Sequence, residues 1–504
     1  MFVKILIANR GEIAVRVIRA CREMGIGSVA VYSEADAASL HVRLADEAVP
    51  IGPPPAADSY LHMDKIIAAA RTTGAEAIHP GYGFLAENAA FARRCENEGV
   101  VFIGPNSAAL ELVGDKVRAR QTMEKAGVPT IPGMNTVSVS PGEFQAAARA
   151  LGYPVMVKAS AGGGGKGMRV VGDEAALGPA LEAGRREAMS AFGDDSVYLE
   201  KCIEEPRHVE FQVLADRRGH TVHLFERECS IQRRHQKILE ETPSPALTPK
   251  LREQMGETAV RAMRAAGYDN AGTVEFLLDK DGRFYFLEVN ARLQVEHPTT
   301  ELVTGIDLVR QQIRLASGAD LALRQEDLRQ RGHAIECRIY AEDPRKGFLP
   351  SAGRITYLRE PRGPGVRFDS GIYEGFEVPV HYDPILAKLV VWAEDRESAC
   401  RRMTAALGEC IILGIHTTVG FHRDVIDHPE FRAGRATTSF IGKYFPSWRT
   451  GEADDEGKTL ALAAAAFDAL TTRSEPGGRA GREGWKDAPN PWMTMGRWRA
   501  GEGL

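Results

Sequence analysis

The sequence lacks the cysteine patterns and the long apolar runs that mark several protein classes. Its seven cysteines are scattered over 504 residues and form no C-x-x-C pair, the closest two being Cys400 and Cys410. That absence excludes the usual zinc and dithiol redox spacings and fits a reducing compartment. No apolar run approaches the roughly 18 residues of a membrane span. The closest stretch, 460–470, is Ala-rich and is interrupted by Asp468, so we expect no membrane partner.

An excess of charge of one sign is also missing. The 63 Lys and Arg residues nearly balance the 68 Asp and Glu residues, which leaves a net charge of −5. Such a balance offers no basic surface for nucleic acid or for an anionic membrane, so neither is an expected partner. The chain enters a strand-like run at residues 1–9 without a basic or Arg- and Ser-rich leader, and we therefore expect a cytoplasmic protein.

The dinucleotide fingerprint G-x-G-x-x-G is absent from the first strand-to-helix turn, 8–14, which favours a scaffold role for that turn. Short β-rich runs alternate with helical patterns up to about residue 110, and this predicts an α/β fold with a doubly wound parallel sheet. At about 150 residues per domain, the length predicts about three domains. We place three domains and a tail at residues 1–110, 111–325, 326–446 and 447–504. The tail is polar and Gly-rich, and we expect one helix there, at 458–472, in an otherwise flexible segment.

A glycine-rich loop, 160–168, joins the apolar strand 154–158 to a second strand, 169–171. Its glycines let backbone N–H groups approach phosphate oxygens closely, while Lys158 and Lys166 supply positive charge. The loop lies between two strands, unlike the strand–loop–helix order of a P-loop. A flexible surface hairpin would explain the glycines but not the lysines beside them, so we favour a phosphate-binding hairpin flap.

Asp281-Gly282 lies between two strand-like runs and predicts a hairpin with a two-residue turn. That turn places Glu275 opposite Glu288, where like charges repel each other. A divalent cation relieves the repulsion, and Asn290, on the same face, adds a third oxygen ligand of the kind that magnesium takes beside phosphates. A longer turn would shift the register by one residue and separate the glutamates. An edge hairpin with solvated acids is the alternative.

Polar residues continue beyond Asn290 at every second position, as Arg292, Gln294 and Glu296. A continuing strand would line them along one face with Glu288. The set combines metal ligands, an anion-binding guanidinium and a carboxylate that can accept a proton, which suits a small anionic substrate beside a metal–nucleotide. An ordinary exposed strand face is the alternative. The histidines match no zinc spacing and are interpreted as contacts only.

These segments together resemble the biotin carboxylase family of ATP-grasp enzymes over about residues 1–446. The segments that carry the resemblance are 7–14, 79–88, 114–116, the four-glycine loop, 226–237 and 288–297. So many matches in one order are highly specific. The resemblance implies a doubly wound N-terminal domain, a central ATP-grasp domain with a flap and an α+β C-terminal domain.

The resemblance also implies a nucleotide site and a metal site. The residues assigned to ATP are Lys116, Lys158, Gly164, Gly165, Lys166, Glu200, Lys201, Ile203, His208, Gln232, His235, Glu275 and Glu288. The metal, Mg2+ or Mn2+, would be held by Glu275, Glu288 and Asn290, in agreement with the hairpin argument.

Bicarbonate and biotin sites are implied by the same resemblance. Bicarbonate would contact Lys237, Arg292, Gln294, Val295 and Glu296. Glu296 would act as the base when bicarbonate attacks the γ-phosphate to give carboxyphosphate. Arg338 matches the family arginine that stabilises the biotin enolate, and Tyr82 matches a biotin-pocket position. The implied catalytic residues are Lys237, Arg292, Glu296 and Arg338.

The expected partners are inferred from segments that the chain does not show. It has no Met-Lys-Met tract of the kind that carries a biotinylated lysine and no half that resembles a carboxyltransferase. We therefore expect a separate biotin carboxyl carrier protein and a carboxyltransferase subunit, in a homodimer or a larger hetero-complex. The segment 485–499 resembles the stretch C-terminal to this module in longer acyl-CoA carboxylase subunits. A docking element and a disordered remnant both remain open for it.

The expected function is that of the biotin carboxylase subunit of a multi-subunit acyl-CoA carboxylase. The biotin carboxylase component of a two-subunit pyruvate carboxylase and an ATP-grasp ligase for another carboxylate are the alternatives. A non-enzymatic nucleotide-binding module would most simply have lost Lys237, Arg292 or Glu296, and the chain has all three.

Overall fold

The computed structural model describes residues 1–134, 140–160, 168–448, 462–463 and 466–467. Residues 1–449 form one unit and residues 450–504 a second. The predictions for Gly164, Gly165 and Lys166 lie outside the described residues. So do those for the tail and its Trp-containing segment, apart from four helical residues within 458–472.

The N-terminal region alternates short apolar strands with helices. Its elements are β1 Lys4–Ile7, α1 Gly11–Glu23, β2 Gly27–Ser33, α2 Leu40–Leu44, β3 Glu47–Gly52, α3 Met63–Thr73, β4 Ala77–His79, α4 Ala89–Asn97 and β5 Val101–Phe102. The five strands are parallel, in the order β3-β2-β1-β4-β5. Parallel neighbours need crossover connections, which the helices supply. The predicted parallel sheet is confirmed.

A small sheet brackets the glycine-rich loop. The elements of this region are α5 Ser107–Gly114, α6 Lys116–Lys125, α7 Pro141–Leu151, β6 Val155–Ala159, β7 Arg169–Val171, α8 Glu174–Phe192 and β8 Val197–Lys201. β6 pairs antiparallel with β7 on one side and with β8 on the other. The predicted strands on either side of the loop are confirmed.

The central region contributes most of a large antiparallel sheet. Its elements are β9 Arg207–Ala215, β10 Thr221–Arg233, β11 Gln236–Thr242, α9 Pro249–Ala265, β12 Asn270–Leu278, β13 Phe284–Asn290, α10 His297–Thr304 and α11 Leu308–Ala316. Antiparallel strands joined by tight turns form such a sheet without crossover helices.

The C-terminal region completes the same sheet. Its elements are β14 His333–Tyr340, β15 Glu342–Asp343, β16 Leu349–Pro350, β17 Gly353–Arg354, β18 Tyr357–Arg359, β19 Val366–Ser370, β20 Glu377–Val378, β21 Ile385–Ala393, α12 Arg396–Glu409, β22 Ile411–Leu413, α13 Val419–Asp427, α14 Pro429–Arg432 and α15 Phe440–Tyr444. The strand order is β13-β12-β9-β10-β11-β14-β21-β19. Because β11 pairs with β14, side chains from the central and C-terminal regions share one sheet face.

The hairpin of β12 and β13 has the predicted pairing of Glu275 with Glu288, but its turn differs from the predicted one. The loop has three residues, 280–282, and Gly282 takes a φ of +81°. A one-residue bulge at Leu287 moves the register back, so Glu275 lies opposite Glu288. The two-residue turn was therefore wrong, whereas the pairing of the glutamates is confirmed, because two shifts of one residue cancel.

The N-terminus of α1 packs closely against the segment that comes after β19. A Cβ atom on Gly371 would lie 2.7 Å from the backbone nitrogen of Glu12, so only glycine fits this approach. The contact brings the N-terminal and C-terminal regions together beside the large sheet. Within the part of the chain described here, no helix is long and apolar enough to cross a membrane.

Candidate active site

A row of charged side chains crosses four neighbouring strands of the large sheet. The register places Glu288, Glu275, Glu210 and Arg227 side by side on β13, β12, β9 and β10. Direct cross-strand partners share a face, so three carboxylates and one guanidinium line the same surface. Burial raises the pKa of Glu288, and the facing charge of Glu275 raises it further. The row therefore concentrates negative charge at its β13 end.

Lys237 enters this row because of the turn between β10 and β11. Arg234 and His235 have φ values of 50° and 66°, the geometry of a two-residue hairpin turn. The turn pairs Gln232 with Lys237 across the strands. Both side chains are thereby held at the start of the hairpin, next to the charged row.

The ammonium group of Lys237 lies among three carboxylates. It donates to Glu275 Oε1 at 2.6 Å, to Glu296 Oε1 at 2.9 Å and to Glu210 Oε2. Burial by itself lowers the pKa of Lys237, but the three carboxylates hold it well above its ordinary value. Burial would raise the pKa of Glu296, yet Lys237 and Arg338 hold it well below its usual range. The positive charges of Lys237 and Arg338 therefore offset negative charge on the carboxylates of this cluster.

The polar run after β13 does not continue as a strand. β13 ends at Asn290, and residues 291–296 form a loop that leads into α10. The backbone N–H of Ala291 donates to Glu87 Oε1 at 2.9 Å, so a side chain satisfies the amide that a neighbouring strand would otherwise bind. The prediction of one continuous strand face was therefore wrong.

The side chains of the run nevertheless converge. Arg292 donates to Asn290 Oδ1 and to Gln294 Oε1, each at 2.9 Å. Its Nε donates to Glu87 Oε2, also at 2.9 Å. Glu296 is the N-cap residue of α10, and its side chain is fully buried. The guanidinium of Arg292 thus lies within hydrogen-bonding reach of two side-chain amides, and Glu296 ends the same loop.

Arg338 joins the site from β14. Its Nε donates to Glu240 Oε1 at 2.7 Å, and its Nη2 donates to Glu296 Oε2 at 3.0 Å. Glu296 therefore accepts from Lys237 with one oxygen and from Arg338 with the other. A single buried carboxylate connects the charged row of the central region to the C-terminal region.

Two of the predicted phosphate-binding lysines lie near the Glu288 end of the charged row. Lys158 Nζ lies 2.5 Å from Glu200 Oε2, and Arg120 donates to the other oxygen of Glu200 at 3.1 Å. Burial lowers the pKa of Lys116, which Glu288 opposes and Lys158 reinforces. These groups supply positive charge between the small sheet and Glu288.

Of the remaining residues assigned to the nucleotide, some have side chains that reach the charged row and others do not. His208 Nε2 lies 2.9 Å from Glu275 Oε2, and Gln232 Nε2 lies 2.8 Å from His208 Nδ1, so both reach the charged row. The ammonium of Lys201 instead donates to the carbonyl oxygen of Gly152 at 2.8 Å. It therefore points away from that row.

Ile203 is half-buried after β8, and His235 is exposed in the β10–β11 turn. The carbonyl oxygen of Val295 accepts from Lys388 Nζ at 3.0 Å, and the same ammonium lies 5.9 Å from the centre of the Tyr82 ring. Val295 and Tyr82 are therefore both neighbours of the Lys388 ammonium.

Several residues that hold the site were missed by sequence reasoning. They are Glu87, Glu210, Arg227, Glu240 and Lys388. Arg227 is 0% exposed and donates through Nε to Glu210 at 2.5 Å. For the four of them that lie on strands, the available signal was a charged residue inside an apolar run, because a buried charge needs a partner. Glu87 lies in a loop and gave no such signal.

The donor set fits a hard divalent cation. Glu275 and Glu288 face each other, and Asn290 Nδ2 lies 2.7 Å from Glu275 Oε1. His208 and Glu210 also place ligand atoms within 4.8 Å of one another and of Glu275. Carboxylate and amide oxygens are the ligands that magnesium takes beside phosphates. The residues present therefore suit a metal–nucleotide.

Glu12, the second residue of α1, is buried next to Lys388 and predicts a pH dependence of stability. Its Oε2 lies 3.2 Å from Lys388 Nζ without forming a hydrogen bond. Burial outweighs this cation and raises the pKa of Glu12 to about 7. The folded state therefore binds a proton more tightly than the unfolded state, so this contribution to stability falls as the pH rises from about 4.5 to about 7.

We expect the free energy of unfolding of the wild type to fall by about 2–3 kcal/mol, relative to Glu12→Gln, between pH 5 and pH 8. Urea denaturation at several pH values measures the difference. Glu23→Gln, an exposed acid at the end of the same helix, is the matched control and should run parallel to the wild type. Parallel curves for Glu12→Gln as well would contradict the prediction.

Three family models together match most of the chain. They are "Biotin carboxylase, N-terminal domain" at residues 1–110, "Carbamoyl-phosphate synthase L chain, ATP binding domain" at 115–324 and "Biotin carboxylase C-terminal domain" at 336–443. A pyruvate carboxylase subunit from Methanothermobacter thermautotrophicus is 56% identical over 444 residues, 88% of this chain and 90% of that protein. The propionyl-CoA carboxylase alpha chain of Ruegeria pomeroyi is 49% identical over 486 residues, 92% of this chain and 71% of that protein.

A solved structure has the same fold. The biotin carboxylase domain dimer of Hydrogenobacter thermophilus 2-oxoglutarate carboxylase, in complex with MgADP, ADP and bicarbonate, superposes with a TM-score of 0.86 at 48% identity. The match covers 90% of this chain and 100% of that one. The ATP-binding model and the two biotin carboxylase models occur here in one order on one fold. The chain therefore belongs to the biotin carboxylase family, ATP-grasp ligases that form a carbon–nitrogen bond by ATP-dependent carboxylation of biotin.

Proposed function

We propose that this chain uses magnesium–ATP and bicarbonate to carboxylate biotin that is carried on a separate polypeptide, as one subunit of a multi-subunit acyl-CoA carboxylase. The observation that carries the proposal is the double role of Glu296. One of its oxygens accepts from Lys237 at 2.9 Å and the other from Arg338 at 3.0 Å. A phosphoryl-transfer centre and a biotin site thereby share one carboxylate.

The nucleotide end of the site holds phosphates and metal. Lys116 and Lys158 supply positive charge for the phosphates, and Glu275, Glu288 and Asn290 supply the metal ligands. When bound, the metal would offset the facing carboxylates and neutralise charge on the transferring phosphoryl group. The contacts of His208 and Gln232 with the row, and the position of Glu200 beside Lys158, support their assignment to the same pocket.

The bicarbonate end supplies an anion site and a base. Bicarbonate binds between Lys237 and Arg292, with Gln294 and Val295 beside it, and its oxygen attacks the γ-phosphorus as ADP leaves. Glu296 accepts the bicarbonate proton, and carboxyphosphate forms. Bicarbonate bound at Lys237 weakens the ion pair between Lys237 and Glu296. Because Lys237 lowers the pKa of Glu296, a weaker ion pair makes this carboxylate a stronger base.

The biotin end completes the transfer. Carboxyphosphate breaks down to CO2 and phosphate, and phosphate takes the proton from the ureido N1 of biotin. N1 then forms a bond with CO2 to give carboxybiotin. The guanidinium of Arg338 stabilises the negative oxygen of the biotin enolate, because a fixed pair of N–H donors suits a developing oxyanion. Tyr82 borders this end of the site.

Biotin carried by another polypeptide requires a carrier protein and a carboxyltransferase subunit as partners. The propionyl-CoA carboxylase alpha chain supports an acyl-CoA as the final acceptor, since that match extends over 92% of this chain. The Methanothermobacter thermautotrophicus protein supports pyruvate as the second candidate. A homodimer agrees with the dimer named for the Hydrogenobacter thermophilus domain.

The test is ADP release by the purified protein with magnesium–ATP, measured with and without bicarbonate and free biotin. We expect release to require bicarbonate and to rise with biotin. In Arg338→Ala the biotin-dependent part should fall by about 100-fold or more. Arg401→Ala, an exposed arginine on α12, is the matched control and should behave as the wild type. ATP turnover that biotin never stimulates in the wild type would contradict the proposal and would direct the search to other carboxylates.

A further inference from the structure

Two buried carboxylates lie behind Arg338. Glu240 on β11 and Glu336 on β14 are direct cross-strand partners, and Arg338 lies two residues after Glu336 on the same face. Both glutamates are 0% exposed. Directly paired Cβ atoms lie about 5 Å apart, so both side chains start from neighbouring positions on one buried face of the sheet.

The hydrogen bonds of this pair are incomplete if both acids are ionised. Arg338 holds one oxygen of Glu240, with Nε at 2.7 Å and Nη2 at 2.6 Å. The other oxygen of Glu240 and both oxygens of Glu336 are buried and have no hydrogen-bond donor among the described residues. Leaving a buried ionised carboxylate without a donor is strongly unfavourable. A proton on one acid would supply the donor that the other lacks.

The cations around the pair are shared with other carboxylates. The charged groups that face the pair from β11, β14, β21 and the loop before α10 are Lys237, Arg338, Lys388 and Glu296. Lys388 lies 3.2 Å from Glu12, while Lys237 and Arg338 both bind Glu296. Burial raises the pKa of both acids, that of Glu240 to about 7 and that of Glu336 well above its ordinary value.

We propose that Glu240 and Glu336 share one proton and position Arg338 as a pair that carries a single negative charge. The proton lies between Glu240 Oε2 and a Glu336 oxygen, which leaves Glu240 Oε1 to orient the guanidinium. Neither acid touches a substrate, so both are positioning residues. The inference rests on the proposed function, because Arg338 receives its role toward biotin there.

Charge-neutral substitutions test the shared proton. In Glu240→Gln or Glu336→Gln the remaining acid carries the single charge, and the new amide donates the missing hydrogen bond. We expect each single variant to lose less than about fivefold in kcat/KM for free biotin. The double variant leaves no charge behind Arg338, and we expect a loss of about 100-fold, the size of effect that a misplaced catalytic group produces. Glu397→Gln, an exposed acid on α12, should match the wild type.

The pH profile adds a readout that a purely structural role would not change. The wild type loses the shared proton at alkaline pH, whereas neither single variant has such a proton, so the alkaline limb of the biotin-dependent rate should shift. If Glu240→Gln were as impaired as the double variant, the shared proton would be ruled out, whereas the positioning of Arg338 by Glu240 would stand. A double variant with lower thermal stability but wild-type biotin kinetics would reduce the pair to a structural role. Wild-type enzyme without biotin stimulation would overturn the role of Arg338 and this inference with it.

Discussion

Replacement of Lys237 by glutamine is expected to lower bicarbonate-dependent ATP hydrolysis by at least about 100-fold in kcat. The ammonium of Lys237 lies within hydrogen-bonding distance of Glu210, Glu275 and Glu296. Its removal takes away the charge that binds the anionic substrate, and it leaves buried carboxylates without their cation. The free energy of unfolding at neutral pH should also fall by about 3–5 kcal/mol, the usual cost of breaking a buried ion pair.

The stability loss of Lys237→Gln should depend on pH. In the wild type, Lys237 holds the pKa of Glu275 and Glu296 below the ordinary value. Without this cation both pKa values rise relative to the wild type, so the folded variant takes up protons at a higher pH than the folded wild type does and becomes relatively more stable in acid. The difference from the wild type should therefore shrink between pH 7 and pH 5 in urea denaturation. Lys280→Gln, at the exposed hairpin turn, is the control. Normal bicarbonate-dependent turnover in Lys237→Gln would contradict the assignment.

Replacement of Glu288 by glutamine is expected to change metal binding and stability in opposite directions. Loss of one carboxylate ligand should weaken the apparent affinity for magnesium by roughly 100-fold or more, since even residues that only support metal ligands contribute 10–100-fold. In the absence of metal, the same change removes the repulsion between Glu288 and Glu275. The variant should then be more stable than the wild type by up to about 1 kcal/mol.

Thermal unfolding in EDTA, compared with unfolding in magnesium and ADP, measures both effects on one sample. The wild type should gain more stability from magnesium–ADP than Glu288→Gln does. Asp281→Asn changes an acid of the same hairpin outside the charged row, and it should respond as the wild type. A Glu288→Gln variant that is less stable in EDTA and binds magnesium normally would rule out a metal role for the facing pair.

The hairpin shows why a correct sequence argument can rest on a wrong detail. Asp281-Gly282 indicated the turn, and the alternation of the strands indicated that Glu275 and Glu288 share a face. The turn contains one residue more than predicted, and the bulge at Leu287 compensates for it. A bulge has no clear sequence signal, because its cause is the packing of both strands rather than the identity of one residue.

The polar run after Asn290 shows the limit of periodicity. Alternation of polar and apolar residues is typical of a strand, but Glu87 binds the backbone N–H of Ala291 and the chain leaves the sheet. Glu87 is far away in the sequence, so no local pattern could reveal this contact. Arg292 and Gln294 still meet, because the loop itself turns them toward each other.

Local sequence patterns were enough to predict the parallel N-terminal sheet, the strands on either side of the glycine-rich loop and the facing pair of Glu275 and Glu288. Those features depend on local apolar periodicity and on turn residues, which act over a few positions. Which carboxylates neutralise Lys237 depends on long-range folding, since they lie 27, 38 and 59 residues from it along the chain. Long-range folding likewise placed Glu240 and Glu336 behind Arg338. Charges interact through space, and only the folded sheet sets the distances between strands so far apart in sequence.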